Sequence, residues 1–217
     1  MLGSWPSTDK LREIARMPHT WLEETARGQE AGHAWVGVAG FEVPTVSGKF
    51  GVLASARGVV GVLFPGFDAW EVAGRIERQG LAWSSAGQRR AVEAGLELMG
   101  YLLGEVQRFE TPVELGHLTA FQRDVYRALI EVPRGATVTY GELARLAGHP
   151  NGARAVGTAM RRNPIPIFVP CHRVVATGKR IGGWSGGGGI AGKIKLLMLE
   201  SADFFKIEKI KRTKKKR

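Results

Sequence analysis

The chain is 217 residues long, 44% hydrophobic and 24% charged, with one cysteine and a net charge of +11. Such a length permits one large domain or two modest ones, and the lone thiol excludes an intrachain disulfide framework or a multi-cysteine zinc cluster. No signal segment opens the chain and every apolar run is broken before it could span a bilayer, so no membrane partner is expected and the expected compartment is the cytoplasm, or the nucleus of a nucleated cell.

Residues 8–27 place Leu11, Ile14, Ala15, Trp21 and Leu22 at roughly helical spacing, interrupted by Pro18. After the apolar stretch Trp35 to Val43, Phe50–Ala54 and Val59–Phe64 flank Ser55-Ala56-Arg57-Gly58, which predicts a β-hairpin with Gly58 in the turn. Asp68 caps a helix predicted to about Arg78, and Gln88–Leu103 forms another with Val92, Leu96 and Met99 on one side. Residues 1–114 therefore read as a small α/β domain in which no site is visible. Thr111 to Thr119, with Pro112 and Gly116, is the expected linker.

The second unit, residues 119–205, opens with an amphipathic helix from Phe121 to Ile130 that turns Phe121, Val125, Tyr126 and Leu129 inward behind Thr119 as cap. A turn at Pro133-Arg134-Gly135 and an extended Thr137-Val138-Thr139 follow. Tyr140–Ala147 and Ala153–Arg162 are then two short helices joined by Gly148-His149-Pro150-Asn151, a helix-turn-helix. In its second helix Val156 and Met160 face inward, Arg154, Thr158 and Arg161 share another face, and Ala153, Ala155, Gly157 and Ala159 keep the profile slim. Such a helix suits close approach to a nucleic-acid backbone; a core helix with solvated arginines is the competing reading. Residues 206–217 hold eight basic residues and one acid, a composition that predicts a disordered tail acting as a phosphate contact, a solubiliser or an import signal.

The three prolines of Asn163-Pro164-Ile165-Pro166-Ile167-Phe168-Val169-Pro170 predict a stiff, extended run that delivers Cys171 with little positional freedom. A solitary cysteine is usually a small buried hydrophobe, and a nucleophilic one needs a base or a positive field to form thiolate. His172 is adjacent, but neighbours in a strand point apart, so contact requires a turn at Cys171 or a bridging water. No second Cys or spaced His completes a zinc site. Gly187 to Lys193 matches the glycine and lysine positions of a phosphate-binding loop, but Ile194 supplies no hydroxyl for magnesium, which sets nucleotide binding aside. No cofactor is expected.

Together, Ala153-Arg154-Ala155-Val156-Gly157, Asn163-Pro164-Ile165-Pro166, Pro170-Cys171-His172-Arg173-Val174-Val175 and Trp184-Ser185-Gly186-Gly187 resemble the O6-alkylguanine-DNA alkyltransferases, the methylated-DNA–protein-cysteine methyltransferases, from about Phe121 to Glu200. The resemblance implies a ribonuclease-H-like α/β first domain, a mainly α winged helix-turn-helix second domain, and a monomer on double-stranded DNA containing alkylated guanine. Cooperative binding along DNA and acceptance of O4-alkylthymine stay open. It further implies that Cys171 accepts the alkyl group once. His172 serves as its base through a water, Glu200 orients His172, Asn163 braces the turn, and Tyr140 and Lys193 neutralise the departing guanine. Met160, the carbonyls of Cys171 and Val174, Trp184 and Ser185 hold the base, while Arg154, Tyr140, Ala153, Gly157 and Arg161 engage DNA. From the residues alone, Glu200, Lys193 and Ser185 read as ordinary surface groups. Trp184 stands where the family has Tyr and the Gly-rich stretch is longer, which implies a looser pocket lid that admits larger alkyl groups. Without Cys171 the same scaffold reads as a non-catalytic lesion sensor; a Cys-His hydrolase is the weaker third reading.

Overall fold

The computed structural model describes residues 34–43, 46–64, 81–83, 85–178 and 180–200. The helices expected at 8–27 and 68–78 and the basic tail at 206–217 lie outside the described residues. Strands β1 (Ala34–Val43), β2 (Val46–Ser55) and β3 (Gly58–Leu63) form an antiparallel meander. Strand β4 (Leu81–Trp83) pairs parallel to β1, giving the order β3-β2-β1-β4. The expected hairpin is present, but Ala56 and Arg57 make its turn and Gly58 begins β3. The glycine is required by a close approach: a Cβ there would run into the Pro112 carbonyl. Val59 in turn exchanges backbone hydrogen bonds with Pro112 and Glu114, each 2.8 Å, so the segment read as a linker lies against the edge of the sheet.

Helix α1 (Ser85–Leu102) packs across the sheet. Its inner face matches the expected one at Met99, which is buried, and differs elsewhere. Ala91, Ala94, Leu98 and Tyr101 are fully buried, whereas Val92 and Leu96 are only half-buried. Small residues bring the helix close to the strands, and periodicity weighted toward large apolar residues overlooks them.

The second part is helical: α2 (Ala120–Ile130), α3 (Tyr140–Leu146) and α4 (Ala153–Arg161), then a 3-10 turn at Cys171–Arg173 and α5 (Gly189–Glu200). Thr119 and Thr139 each build a capping box, with Gln122 and Glu142 respectively, which satisfies orphan N–H groups at the starts of α2 and α3. Gly148 ends α3 at φ +80, a conformation glycine adopts at little steric cost. Short strands β5 (Val138–Thr139) and β6 (Val174–Val175) pair in parallel beneath α3. The Tyr126 hydroxyl donates to the Ala159 carbonyl at 2.8 Å and so locks α2 to α4.

One contiguous hydrophobic core runs through both parts, from Phe50, Val59 and Val62 through Leu98 and Tyr101 to Val125, Val156, Ile165 and Leu196. Each fully buried leucine or isoleucine in it contributes roughly 1.5–3 kcal/mol. The core fixes α1 against the segment that carries the thiol. No helix among the described residues is long and apolar enough to cross a membrane.

Candidate active site and nucleic-acid interface

The segment leading to Cys171 is a turn, not the extended run that its prolines suggest. The Asn163 amide donates to the Val169 carbonyl at 2.9 Å and its oxygen accepts from the Ile165 N–H at 3.0 Å. Pro166 and Val169 form a bridge, and Ile167 sits at φ +77. A β-branched residue in that region is strained by about 1–2 kcal/mol, offset by complete burial of its side chain. Asn163 therefore braces the turn. Cys171 then begins a 3-10 turn that includes His172, so the two are not neighbours in an extended strand.

Cys171 is free and buried, with 4% of its surface exposed. Burial pushes its thiol pKa up, while the Trp184 indole N–H, the Asn163 amide and the Lys193 ammonium pull the other way. Trp184 Nε1 donates to the sulfur at 3.1 Å. Its ring meets Phe64 of the first part edge-on at 5.5 Å, and Gly186 and Gly192 leave no room for a Cβ beside it. The indole is thus held between Phe64 and the sulfur, in space that side chains at Gly186 and Gly192 would fill.

Behind the thiol, His172 is completely buried and its Nε2 lies 2.7 Å from Glu200 Oε1. Burial lowers its pKa, assisted by the charges of Arg173 and Lys193 and opposed by Glu200. The neutral ring therefore carries its proton on Nε2 toward the carboxylate. Nδ1, buried and without a protein partner, remains a proton acceptor. Glu200, far from a surface group, has a fully enclosed side chain. Burial would raise its pKa, but His172 and Arg173 hold it well below the usual carboxylate range. Arg173 reaches it through Nε at 3.1 Å and through a terminal nitrogen at 2.8 Å, and the Gly135 N–H adds a bond of 3.3 Å. The Tyr101 hydroxyl also donates to Oε1.

Lys193 is fully buried as well. Its Nζ donates to the Val174 carbonyl at 2.5 Å and lies 3.5 Å from that of Gly183. Burial holds its pKa down at about 8, with Cys171 opposing. The Val174 carbonyl thus already accepts Lys193, and the Cys171 carbonyl accepts the Val174 N–H; each keeps a second lone pair. Ser185 is exposed on the groove side and its hydroxyl donates to the Arg161 carbonyl at 3.1 Å.

On the outer side, Tyr140, Arg154, Gly157, Thr158, Arg161, Gly183, Trp184 and Ser185 line an open groove of about 710 Å³. Arg154 and Arg161 are exposed, Ala153 and Gly157 half-buried, and Val156, Ala159 and Met160 face the core. A Cβ at Gly157 would meet the half-buried Tyr140 ring at ordinary van der Waals distance. Sequence reasoning missed Tyr101 and Arg173 as members of the inner cluster. The detectable signal was a tyrosine and an arginine on faces otherwise committed to the core. Among the described residues no group of three or more His, Cys, Asp or Glu side chains could hold a metal ion.

Residues 120–202 match the model of the family described as 6-O-methylguanine DNA methyltransferase, DNA binding domain. The methylated-DNA--protein-cysteine methyltransferase of Mycobacterium leprae is 45% identical over 108 residues, 50% of this chain and 64% of that protein. Its namesake from Methanosarcina acetivorans is 44% identical over 95 residues, 44% of this chain and 60% of that protein. The match thus spans less than two thirds of the length of these curated relatives. The crystal structure of Mycobacterium tuberculosis OGT in complex with DNA superposes with a TM-score of 0.60 at 31% identity, over 75% of this chain and 91% of that one.

Proposed function

The chain belongs to the 6-O-methylguanine DNA methyltransferase family, and on that premise we propose that it repairs DNA by direct, irreversible transfer of an alkyl group from guanine O6 to Cys171. Each molecule acts once, as a monomer in the compartment that holds the DNA, and without a cofactor. The observation that carries this reading is a junction: the groove along the outer face of α4 is lined by Trp184, which is hydrogen-bonded to the chain's single thiol.

In this reading α4 enters the minor groove, where Ala153 and Gly157 let the backbone approach and Arg161 meets a phosphate. Arg154 fills the gap left by the flipped nucleotide while Tyr140 presses on its phosphate. Flipping costs a few kcal/mol, less at a damaged base, so lesions are favoured before any chemistry. The base packs on Met160, the carbonyls of Cys171 and Val174 read its amine, and Trp184 and Ser185 flank the oxygen. The thiol proton passes through a water to His172 Nδ1, whose other nitrogen is held by Glu200. The sulfur then bonds to the alkyl carbon as the bond from that carbon to O6 breaks. The electron pair leaves with guanine and is neutralised by a proton from Tyr140 or Lys193. The product is a thioether and an unmodified guanine.

We also read the first part as ribonuclease-H-like, supported by its meander with a parallel fourth strand beside β1. The second part reads as a winged helix-turn-helix, with the division at residues 111–119.

The test is intact-protein mass after incubation with a duplex carrying O6-methylguanine, beside a Cys171→Ala control. A gain of one methyl group that stops at one per chain and is absent in the control is the expected result. DNA binding with no mass gain would overturn the reading in favour of a lesion sensor.

A further inference from the structure

Tyr101 stands in the last turn of α1, in the first part of the chain, yet its hydroxyl reaches the buried cluster behind the thiol. The side chain is fully buried. Its ring is fixed on one side by Phe109, at 5.1 Å and a 34° tilt, and the Arg134 guanidinium lies 4.8 Å over its centroid. Phe109 in turn packs on Phe168 of the turn before Cys171, at 4.2 Å. The hydroxyl donates to Glu200 Oε1 and lies 3.4 Å from His172 Nε2. One carboxylate oxygen therefore receives Tyr101 and His172 together, a convergence that packing of a tyrosine does not require.

We propose that Tyr101 is a positioning residue for alkyl transfer: its hydroxyl fixes the Glu200 carboxylate that orients His172 and sets its tautomer, tying the first part of the chain to the reaction. The proposal rests on the reading of Cys171 as alkyl acceptor and His172 as its base. A carboxylate that accepts a neutral O–H donor has part of its charge compensated and its rotation stopped. Without that donor, Oε1 attracts a second proton on the imidazole more strongly, and less of His172 is neutral at a given pH. The charged groups acting on the pair are Arg134 and Arg173 at Tyr101, and Arg173 and Lys193 at His172. None of them can replace the hydroxyl as a neutral donor. Burial, then the Glu200 charge, push the Tyr101 pKa well above its ordinary value, so it stays a donor throughout the working range.

The test uses the full chain and free O6-benzylguanine, which removes DNA binding and flipping from the rate. Transfer rates of wild type and Tyr101→Phe are followed by intact mass from about pH 5 to about pH 9, with His172 titrated by imidazole ¹⁵N shifts. Both proteins should take up one benzyl group per chain. Tyr101→Phe should be slower by about five- to tenfold near neutrality, with its acid limb and the His172 midpoint both moved to higher pH. Fluorotyrosine at position 101, a stronger donor of nearly the same volume, should move both the opposite way, and it decides the matter if the Phe variant does not fold. An unchanged rate and profile, or a slower rate with unmoved midpoints, would overturn the proposal. No benzyl uptake by wild type would instead sink the alkyl-acceptor reading, and the ¹⁵N midpoints would still decide the role of Tyr101.

Discussion

Trp184 donates its indole N–H to the sulfur of Cys171, so the side chain that covers the thiol also favours its ionised form. Burial alone pushes the thiol away from ionisation, and the indole is the first of the groups that oppose it. A residue that only excluded water would raise the thiol pKa, whereas Trp184 excludes water and stabilises the thiolate together.

Trp184→Phe keeps an aromatic lid against Phe64 and removes the donor. A hydrogen bond to a charged group contributes about 1.5–3 kcal/mol, so the thiol pKa should rise when the donor is lost. Transfer from free O6-benzylguanine at neutral pH should slow by about tenfold or more. The check is the pH dependence of Cys171 alkylation by iodoacetamide; an unmoved profile would mean that the indole does not hold the thiolate.

Glu200→Gln tests the buried hub. The variant leaves the Arg173 guanidinium, 8% exposed, without its counter-charge, and breaking such a buried pair costs about 3–5 kcal/mol. The sign of the pH effect follows from the depressed carboxylate. Its stabilisation is present above the ordinary value of 4.5 and is lost as pH falls toward the lower folded value. Wild type should therefore lose its advantage over the variant as denaturation midpoints are followed from neutral pH down through that window. A stability gap that does not close on acidification would contradict the assignment.

Much of the second part was legible because local chemistry decides it. The caps Thr119 and Thr139, the alternation of Val156 and Met160 with Arg154 and Arg161, and the Gly148 turn each act within a few residues. The cluster behind the thiol was not legible, because Tyr101 and Glu200 are 99 residues apart in sequence and meet only when α1 docks. By residue type alone Lys193 was one more basic side chain, and only the family resemblance assigned it a role. Its spacing from Leu196 and Leu197, three and four residues on, placed it on the apolar face of α5, where backbone carbonyls take its charge. The Pro-rich run was misread because proline rules restrict each residue singly. Asn163 overrides them with two side-chain bonds that hold Ile167 in a left-handed conformation.

Lys193→Met isolates the buried ammonium. Its pKa falls on folding from 10.5 to about 8, so between those values the unfolded chain binds more protons and folding stability gains as pH rises. Cys171 and the buried tyrosines work in the opposite direction on both proteins. The quantity to follow is thus the difference in unfolding free energy, wild type minus Lys193→Met. It should grow between about pH 8 and about pH 10.5 by at most about 3 kcal/mol. A difference that stays flat would show that the ammonium is not desolvated. The same variant should also raise the thiol pKa, because Lys193 supplies part of the positive field on the sulfur.

Arg154→Ala separates DNA handling from chemistry. Arg154 is exposed on the groove, and no described contact of its side chain runs to Cys171, His172 or Glu200. Its loss should leave the rate with free O6-benzylguanine within about twofold of wild type, since exposed substitutions away from the core shift energies by only about 0.5 kcal/mol. On duplex O6-methylguanine the flipped state loses the group that fills its place in the stack. With flipping costing a few kcal/mol, the rate should drop by about tenfold or more. Tyr140→Phe should behave differently. The charge of Cys171 adds to burial in raising the Tyr140 pKa, so removal of the hydroxyl should slow both substrates. Rates measured for the two variants on both substrates give four numbers. A parallel loss for Arg154→Ala on duplex and free base would place the arginine in the chemistry and remove it from the DNA step. A loss for Tyr140→Phe confined to duplex would do the reverse for the tyrosine.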